Sequence, residues 1–141
     1  MRHADGRGQV ALLSDPCAAP AGYINSSLTG EQIRTVYART RKGAYKLIYV
    51  APERLETNSF LSLMQEMDVS FLAVDEAHCI SQWGQDFRPS YLGIADFINA
   101  LPRRPIVAAY TATATKQVQS DILRLLQLQS PYRIVTGFDR P

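Results

Sequence analysis

Three short apolar runs, each cut off by a polar residue or a proline, constrain this chain more than anything else in it. They are Leu47-Ile48-Tyr49-Val50, stopped by Pro52, then Val69 to Val74, which runs straight into Asp75, and Ile106 to Tyr110, which ends at Thr111. Runs of this length without apolar/polar alternation predict strands of a parallel sheet covered on both faces. Helical spacing fills the intervals. Ile33, Val36 and Tyr37 follow Thr29 and Gln32, a capping-box pair, and predict a helix to about Arg41. Phe60, Leu61, Met64 and Met67 mark a second helix, residues 91–101 a third, and Val118, Ile122, Leu125 and Leu126 a fourth with Thr115 at its N-cap. Tyr132 to Val135 reads as a closing strand. Strands alternating with helices give an α/β fold built of right-handed βαβ units on a parallel sheet.

The 141 residues suit one domain. With 46% hydrophobic and 20% charged residues, disordered and fibrous classes are excluded. A formal charge of +2 neither demands nor forbids a nucleic-acid partner, so any electrostatic footprint has to be local. No apolar run approaches the ~20 residues that span a bilayer, and the first residues lack a signal peptide's apolar stretch. Cys17 and Cys79 are too few for a disulfide scaffold or a four-thiolate zinc site, so both are expected as reduced thiols in a cytosolic protein with no membrane partner. Residues 1–22, with Pro16, Pro20 and no periodicity, read as an irregular lead-in, and residues 23–141 as the folded portion. Six basic residues between Arg34 and Arg54 describe either a solvated helix face or a phosphate-backbone contact.

In parallel sheets ligands bind outside the carboxyl ends of the strands. Asp75 and Glu76 stand at such an end. An acidic residue there can hold Mg²⁺ through oxygen ligands, and a second can polarise a water for attack on a phosphate. The other reading is an acidic pair capping the turn that follows. The run Asp75-Glu76-Ala77-His78 favours the phosphate reading, with His78 placed to sense the nucleotide across the site. Thr111 and Thr113, after the next strand, can bond neighbouring carboxylates and pass their state onward. Residues 79–91 hold Trp83, Phe87 and Tyr91 with Gly84, Arg88 and Pro89, and read as a loop. Its aromatics are either a small core under the loop or a stacking surface for single-stranded nucleic acid.

The block AVDEAHCISQWGQDFRPSY at 73–91 resembles the Walker B motif and aromatic-rich loop of RecQ-type DNA helicases of superfamily 2. INSSLT at 24–29, YVAPERL at 49–55, AYTATAT at 109–115 and TGFDRP at 136–141 match in order, so the resemblance covers roughly residues 23–141. It implies the C-terminal portion of the first RecA-like motor domain of a 3′-to-5′ DNA-unwinding ATPase, a partial parallel sheet with flanking helices that lacks its P-loop strand. Its cofactors would be ATP and Mg²⁺, and its compartment a bacterial cytoplasm with its nucleoid or a nucleus. Asp75 would coordinate Mg²⁺, Glu76 would activate water, and His78 would couple the nucleotide state. Trp83, Phe87 and Arg88 would contact single-stranded DNA, Arg54 would lie near the DNA backbone, and Thr111 and Thr113 would form the coupling motif. Gln85 joins the implied catalytic set at a position where the family carries His, and keeps hydrogen bonding without a titratable imidazole. No G-x-x-x-x-G-K-[ST] run occurs, so the implied phosphate cradle is absent, and the chain stops before a second motor domain, arginine finger, zinc-binding module or winged helix. The resemblance therefore implies a fragment inactive alone, with DNA and the remaining helicase parts as partners. The alternative is a non-catalytic remnant that binds single-stranded DNA.

Overall fold

The computed structural model describes residues 10–13 and 21–137. Five strands form one sheet: β1 (Val10–Leu13), β2 (Ala21–Ile24), β3 (Leu47–Val50), β4 (Phe71–Val74) and β5 (Ile106–Ala109). They lie in the order β2-β3-β1-β4-β5. Four helices accompany them: α1 (Gly30–Arg41), α2 (Asn58–Glu66), α3 (Ile94–Ala100) and α4 (Lys116–Leu125). The capping box forms as its residues dictate. Thr29 Oγ1 accepts the Gln32 N–H at 3.2 Å and Gln32 Oε1 accepts the Thr29 N–H at 2.9 Å. Thr115 caps α4 by accepting the Val118 N–H.

β2/β3 and β4/β5 are parallel pairs, as an α/β fold with a partial RecA-like sheet requires. Four expectations need correction. Residues 10–13 and 21–22 are not irregular but belong to strands; β1 is a short apolar run whose backbone groups pair on both sides, antiparallel to β3 and to β4. The rest of the lead-in, Cys17 included, lies outside the described residues, as do the last residues of the TGFDRP match. The third helix does not start at Tyr91: Pro89–Gly93 is a 3-10 turn, opened by a proline, and the α-helix begins at Ile94. Tyr132 to Val135 forms no strand, and Tyr132, Ile134 and Val135 are exposed. They have no dock, because β5 ends the sheet order and its outer edge meets no strand among the described residues.

The fourth correction concerns cover. Alternate strand residues Ile24, Ile48, Val50, Leu72 and Val74 are buried in one core with Phe60, Leu63 and Met64 of α2 and Phe97 and Ile98 of α3. Phe60 and Phe97 stack at 5.8 Å. The register puts Tyr23, Leu47, Tyr49, Phe71, Ala73, Ile106 and Ala108 on the other face, where every one is at least partly exposed. Tyr23 and Tyr49 stack there on each other at 5.0 Å. Among the described residues the sheet has one packed face and one open apolar face.

A free parallel-type edge beside an open apolar face is a template for association. The 141-residue chain should self-associate as its concentration rises, seen by light scattering, and Ile106→Lys, a charge on that edge, should reduce it. A sharp, reversible and concentration-independent melt of monomer would contradict this.

Candidate functional site

The pairing of β4 with β5 continues beyond both strands. The Tyr110 N–H donates to the Val74 carbonyl at 2.9 Å, and the Ala77 N–H donates to the Tyr110 carbonyl at 2.9 Å. Between those bonds the chain turns sharply. Glu76 has φ 49°, a left-handed conformation that costs a non-glycine residue ~1–2 kcal/mol. The turn is held by Asp75 Oδ1, which accepts the Glu76 N–H at 2.9 Å, and by the buried Tyr91, whose hydroxyl donates to the Asp75 carbonyl at 3.0 Å. Burial pushes the Tyr91 hydroxyl pKa well up, so it stays a donor. Both acidic side chains reach solvent. Glu76 occupies the cap position of the Ala77–Ile80 3-10 turn, yet its side chain makes no capping bond, which removes the helix-cap reading of that residue.

The turn delivers His78 to the segment after β5. His78 Nδ1 lies 2.8 Å from Thr111 Oγ1, and the Thr111 hydroxyl donates to the Thr113 carbonyl at 3.2 Å. Which of the two atoms donates in the 2.8 Å contact is set by the ring tautomer of His78. Glu76 Oε2 stands 3.4 Å from the same nitrogen. Asp75, Glu76, His78, Thr111 and Thr113 are thus brought together at one end of the sheet.

The aromatic-rich loop leaves from the same turn. Its base is closed by the Arg88 N–H donating to the Cys79 carbonyl at 2.8 Å. Gly84 is required, since a Cβ there would lie 2.8 Å from the His78 carbonyl oxygen. Trp83 is 74% exposed, Phe87 and Arg88 are half-buried, Gln85 is exposed and Tyr91 is fully buried. The two readings of these aromatics therefore divide by residue: Tyr91 belongs to a core under the loop and Trp83 to an open surface. Arg88 pairs with Asp86 at 3.1 Å. Burial, with Asp86 nearby, raises the Cys79 thiol pKa. Arg54 is half-buried in the Pro52–Glu56 turn, which packs against Pro89–Gly93, and Ser90 Oγ donates to Glu53 at 3.3 Å. The basic residue and the loop's far end are thereby neighbours.

Sequence reasoning passed over Ser81 and Asp121. Both are buried, at 0% and 4% exposure, and Ser81 Oγ donates to Asp121 Oδ2 at 2.7 Å. The Trp83 N–H donates to Ser81 Oγ at 3.1 Å, and Arg124 and Gln117 reach Asp121 Oδ1 at 3.1 and 3.5 Å. A usable signal existed: Asp121 sits three residues after Val118 and four before Leu125, on the apolar stripe of its helix.

No group of three or more His, Cys, Asp or Glu able to hold a metal ion occurs among the described residues, and no helix there is long and apolar enough to cross a membrane. The DEAD/DEAH box helicase family model matches residues 12–121. The chain is 46% identical over 120 residues to the ATP-dependent DNA helicase RecQ of Bacillus subtilis, covering 85% of this chain and 20% of that protein. It is 48% identical over 121 residues to RecQ of Pasteurella multocida, covering 86% and 19%. With the mouse bifunctional 3′-5′ exonuclease/ATP-dependent helicase WRN it shares 40% over 118 residues, covering 81% and 8%. The chain spans about a fifth of the length of these RecQ relatives.

The Ser81 hydrogen bond holds the Asp121 carboxyl below its ordinary pKa, against the opposing effect of burial. A depressed folded pKa contributes stability in full above the unfolded value of ~3.9 and loses it as pH falls through the folded pKa. Ser81→Ala should cost about 1–3 kcal/mol at neutral pH, by stranding a buried carboxylate, and clearly less once Asp121 is protonated in acid. Urea melts of both proteins across that range measure the difference.

Proposed function

Since the chain belongs to the DEAD/DEAH box helicase family, we propose that it forms the part of a RecQ-like 3′-to-5′ DNA helicase motor where ATP hydrolysis meets DNA. The 2.8 Å contact between His78 and Thr111 carries this reading, because it joins the acidic turn to the threonine segment that follows the neighbouring strand. The sheet from β1 onward, with its helices, would be the C-terminal portion of motor domain 1. The P-loop segment and the second motor domain would be its protein partners, DNA its ligand, and a nucleoid or nucleus its setting.

Magnesium keeps several waters and takes one or two carboxylates beside phosphate oxygens, so it needs no protein cage. Asp75 fits that partial role: it is exposed, and the Glu76 N–H occupies one of its oxygens. When bound, the ion neutralises charge on the phosphates. Glu76, also exposed, orients a water and accepts its proton. The contacts of Thr111 Oγ1 with His78 Nδ1 and with the Thr113 carbonyl tie His78 to the segment leading into α4. A displacement of the Glu76 carboxylate, 3.4 Å from the same His78 nitrogen, is thereby felt in that segment. Trp83 offers a ring to a base, Phe87 and Arg88 line the same loop, and Arg54 faces the DNA backbone from the adjoining turn. Gln85 is exposed and can supply hydrogen bonds to coupling but no proton relay. The exposure of Trp83 also favours a second reading, a remnant that binds single-stranded DNA without hydrolysis.

Phosphoryl transfer is catalysed by positioning and by charge stabilisation at the phosphates. These 141 residues hold no G-x-x-x-x-G-K-[ST] cradle. Alone they should show no DNA-stimulated ATPase above background. Turnover abolished by Glu76→Gln would overturn that, because it would reveal a complete site.

Fluorescence anisotropy with labelled oligonucleotides tests the DNA contact. Binding should be weak and selective for single strands. Trp83→Ala should weaken it by about tenfold, the lower part of the ~1–3 kcal/mol that one stacked base is worth. Equal affinity of parent and variant would remove the loop from the interface.

A further inference from the structure

Asp121 is the single acidic side chain among the buried polar residues of the described chain, and the hydroxyl it accepts from belongs to a residue forty positions earlier. We propose that Asp121 is a positioning residue for Trp83: acting through Ser81, it fixes the direction in which the aromatic-rich loop presents its exposed ring. The hydrogen-bond polarity supports this. A serine hydroxyl has one hydrogen and two lone pairs. An ionised carboxylate only accepts, so Asp121 commits the Ser81 hydrogen to the bond of 2.7 Å and turns the remaining lone pairs outward. One of them takes the Trp83 N–H at 3.1 Å.

The Ser81 carbonyl adds a second constraint by accepting the Gly84 N–H at 3.1 Å, so residues 81–84 form a turn fixed at side chain and backbone together. Arg124 and Gln117 hold the other carboxylate oxygen, which leaves Asp121 little freedom to rotate. The ring of Trp83 itself is 74% exposed and gains little orientation from packing. Its placement therefore falls to its backbone, and its backbone is tied to α4. On the proposed function, α4 follows the coupling threonines, so the brace gives the nucleotide end of the sheet a direct grip on the DNA-facing ring.

Trp83 is the only tryptophan, so time-resolved fluorescence anisotropy reports its motion without any ligand. Ser81→Ala and Asp121→Ala should each enlarge the fast depolarising component. Asp121→Asn, which keeps an oxygen acceptor, should restore most of the parent behaviour. Leu126→Ala, a destabilising change on the turn that ends the same helix, should leave that component as in the parent. Unchanged depolarisation in the two alanine variants, or equal loosening in Leu126→Ala, would overturn the proposal. If the alanine variants fail to fold, hydrogen exchange on the unmodified chain decides. The Trp83 amide should exchange at least about tenfold more slowly than an unstructured tryptophan amide, as a bond worth ~1.4 kcal/mol requires, and a random-coil rate would overturn the assignment.

The proposal rests on the DNA reading only for its consequence. Affinity for a single-stranded oligonucleotide should fall about tenfold in the two alanine variants and recover in Asp121→Asn. A parent that binds no single strands, while the depolarisation behaves as stated, would sink the proposed function and leave the positioning role standing.

Discussion

Everything at this site depends on a parallel register that continues past the ends of two strands. Four matched residues pair β4 with β5, and the bonds from Tyr110 to Val74 and from Ala77 to Tyr110 carry the ladder onward. That continuation pins the chain on both sides of Glu76, so the strained turn is over-determined rather than loose. It also sets the distance between the acidic turn and the threonine segment. His78 reaches Thr111 because Ala77 is already bonded to the residue before it. A slip of one residue would turn the Leu72 and Val74 side chains away from the core, so packing enforces the register that the chemistry uses.

The aromatic-rich loop shows how an exposed ring is kept in place without being packed. Tyr91 lies at 0% exposure beneath the turn and spends its hydroxyl on the Asp75 carbonyl. The Arg88 N–H closes the loop base, Ser90 bonds Glu53 of the neighbouring turn, and Ser81 joins Trp83 to α4. Apart from the exposed Ser90–Glu53 bond, each tie meets a backbone or carboxylate group that would otherwise be unsatisfied on or near the core, where such a loss is costly. The surface ring therefore rests on satisfied polar groups and needs no apolar contact of its own.

Sequence alone located three of the five strands, most of the helices and the acidic turn, for reasons that stay local. The apolar runs at 47–50, 71–74 and 106–109 and the cap residues Thr29 and Thr115 act within a few positions of themselves. What it did not show depends on partners distant in sequence. The Ser81–Asp121 bond joins residues forty apart, and nothing at Ser81 announces its acceptor. Tyr132 to Val135 carries strand-forming residues, but a strand needs an edge to pair with, and composition cannot say whether one stands there. Cover was misjudged for the same reason. A short apolar run looks alike whether one face or two is packed, and only the register reveals that Tyr23, Tyr49 and Ile106 share the open side.

The reversed direction of β1 suits the short link to β2. β1 is antiparallel to β3 and β2 is parallel to β3, so β1 and β2 run in opposite directions with β3 between them. Only residues 14–20 separate Leu13 from Ala21. Antiparallel strands leave and enter at the same end of the sheet, so that link need cross just two strand spacings, ~10 Å, well within the ~3.3–3.6 Å that each residue can span. A parallel β1 would have to return along the whole strand as well, which ordinarily takes a crossover of about a dozen residues or more. Direction costs the neighbours little, because β3 and β4 present alternating donors and acceptors to a strand of either sense. The slot between β3 and β4 is filled in the direction that suits the short link, and β4 keeps a partner on each side while it holds the acidic turn in place.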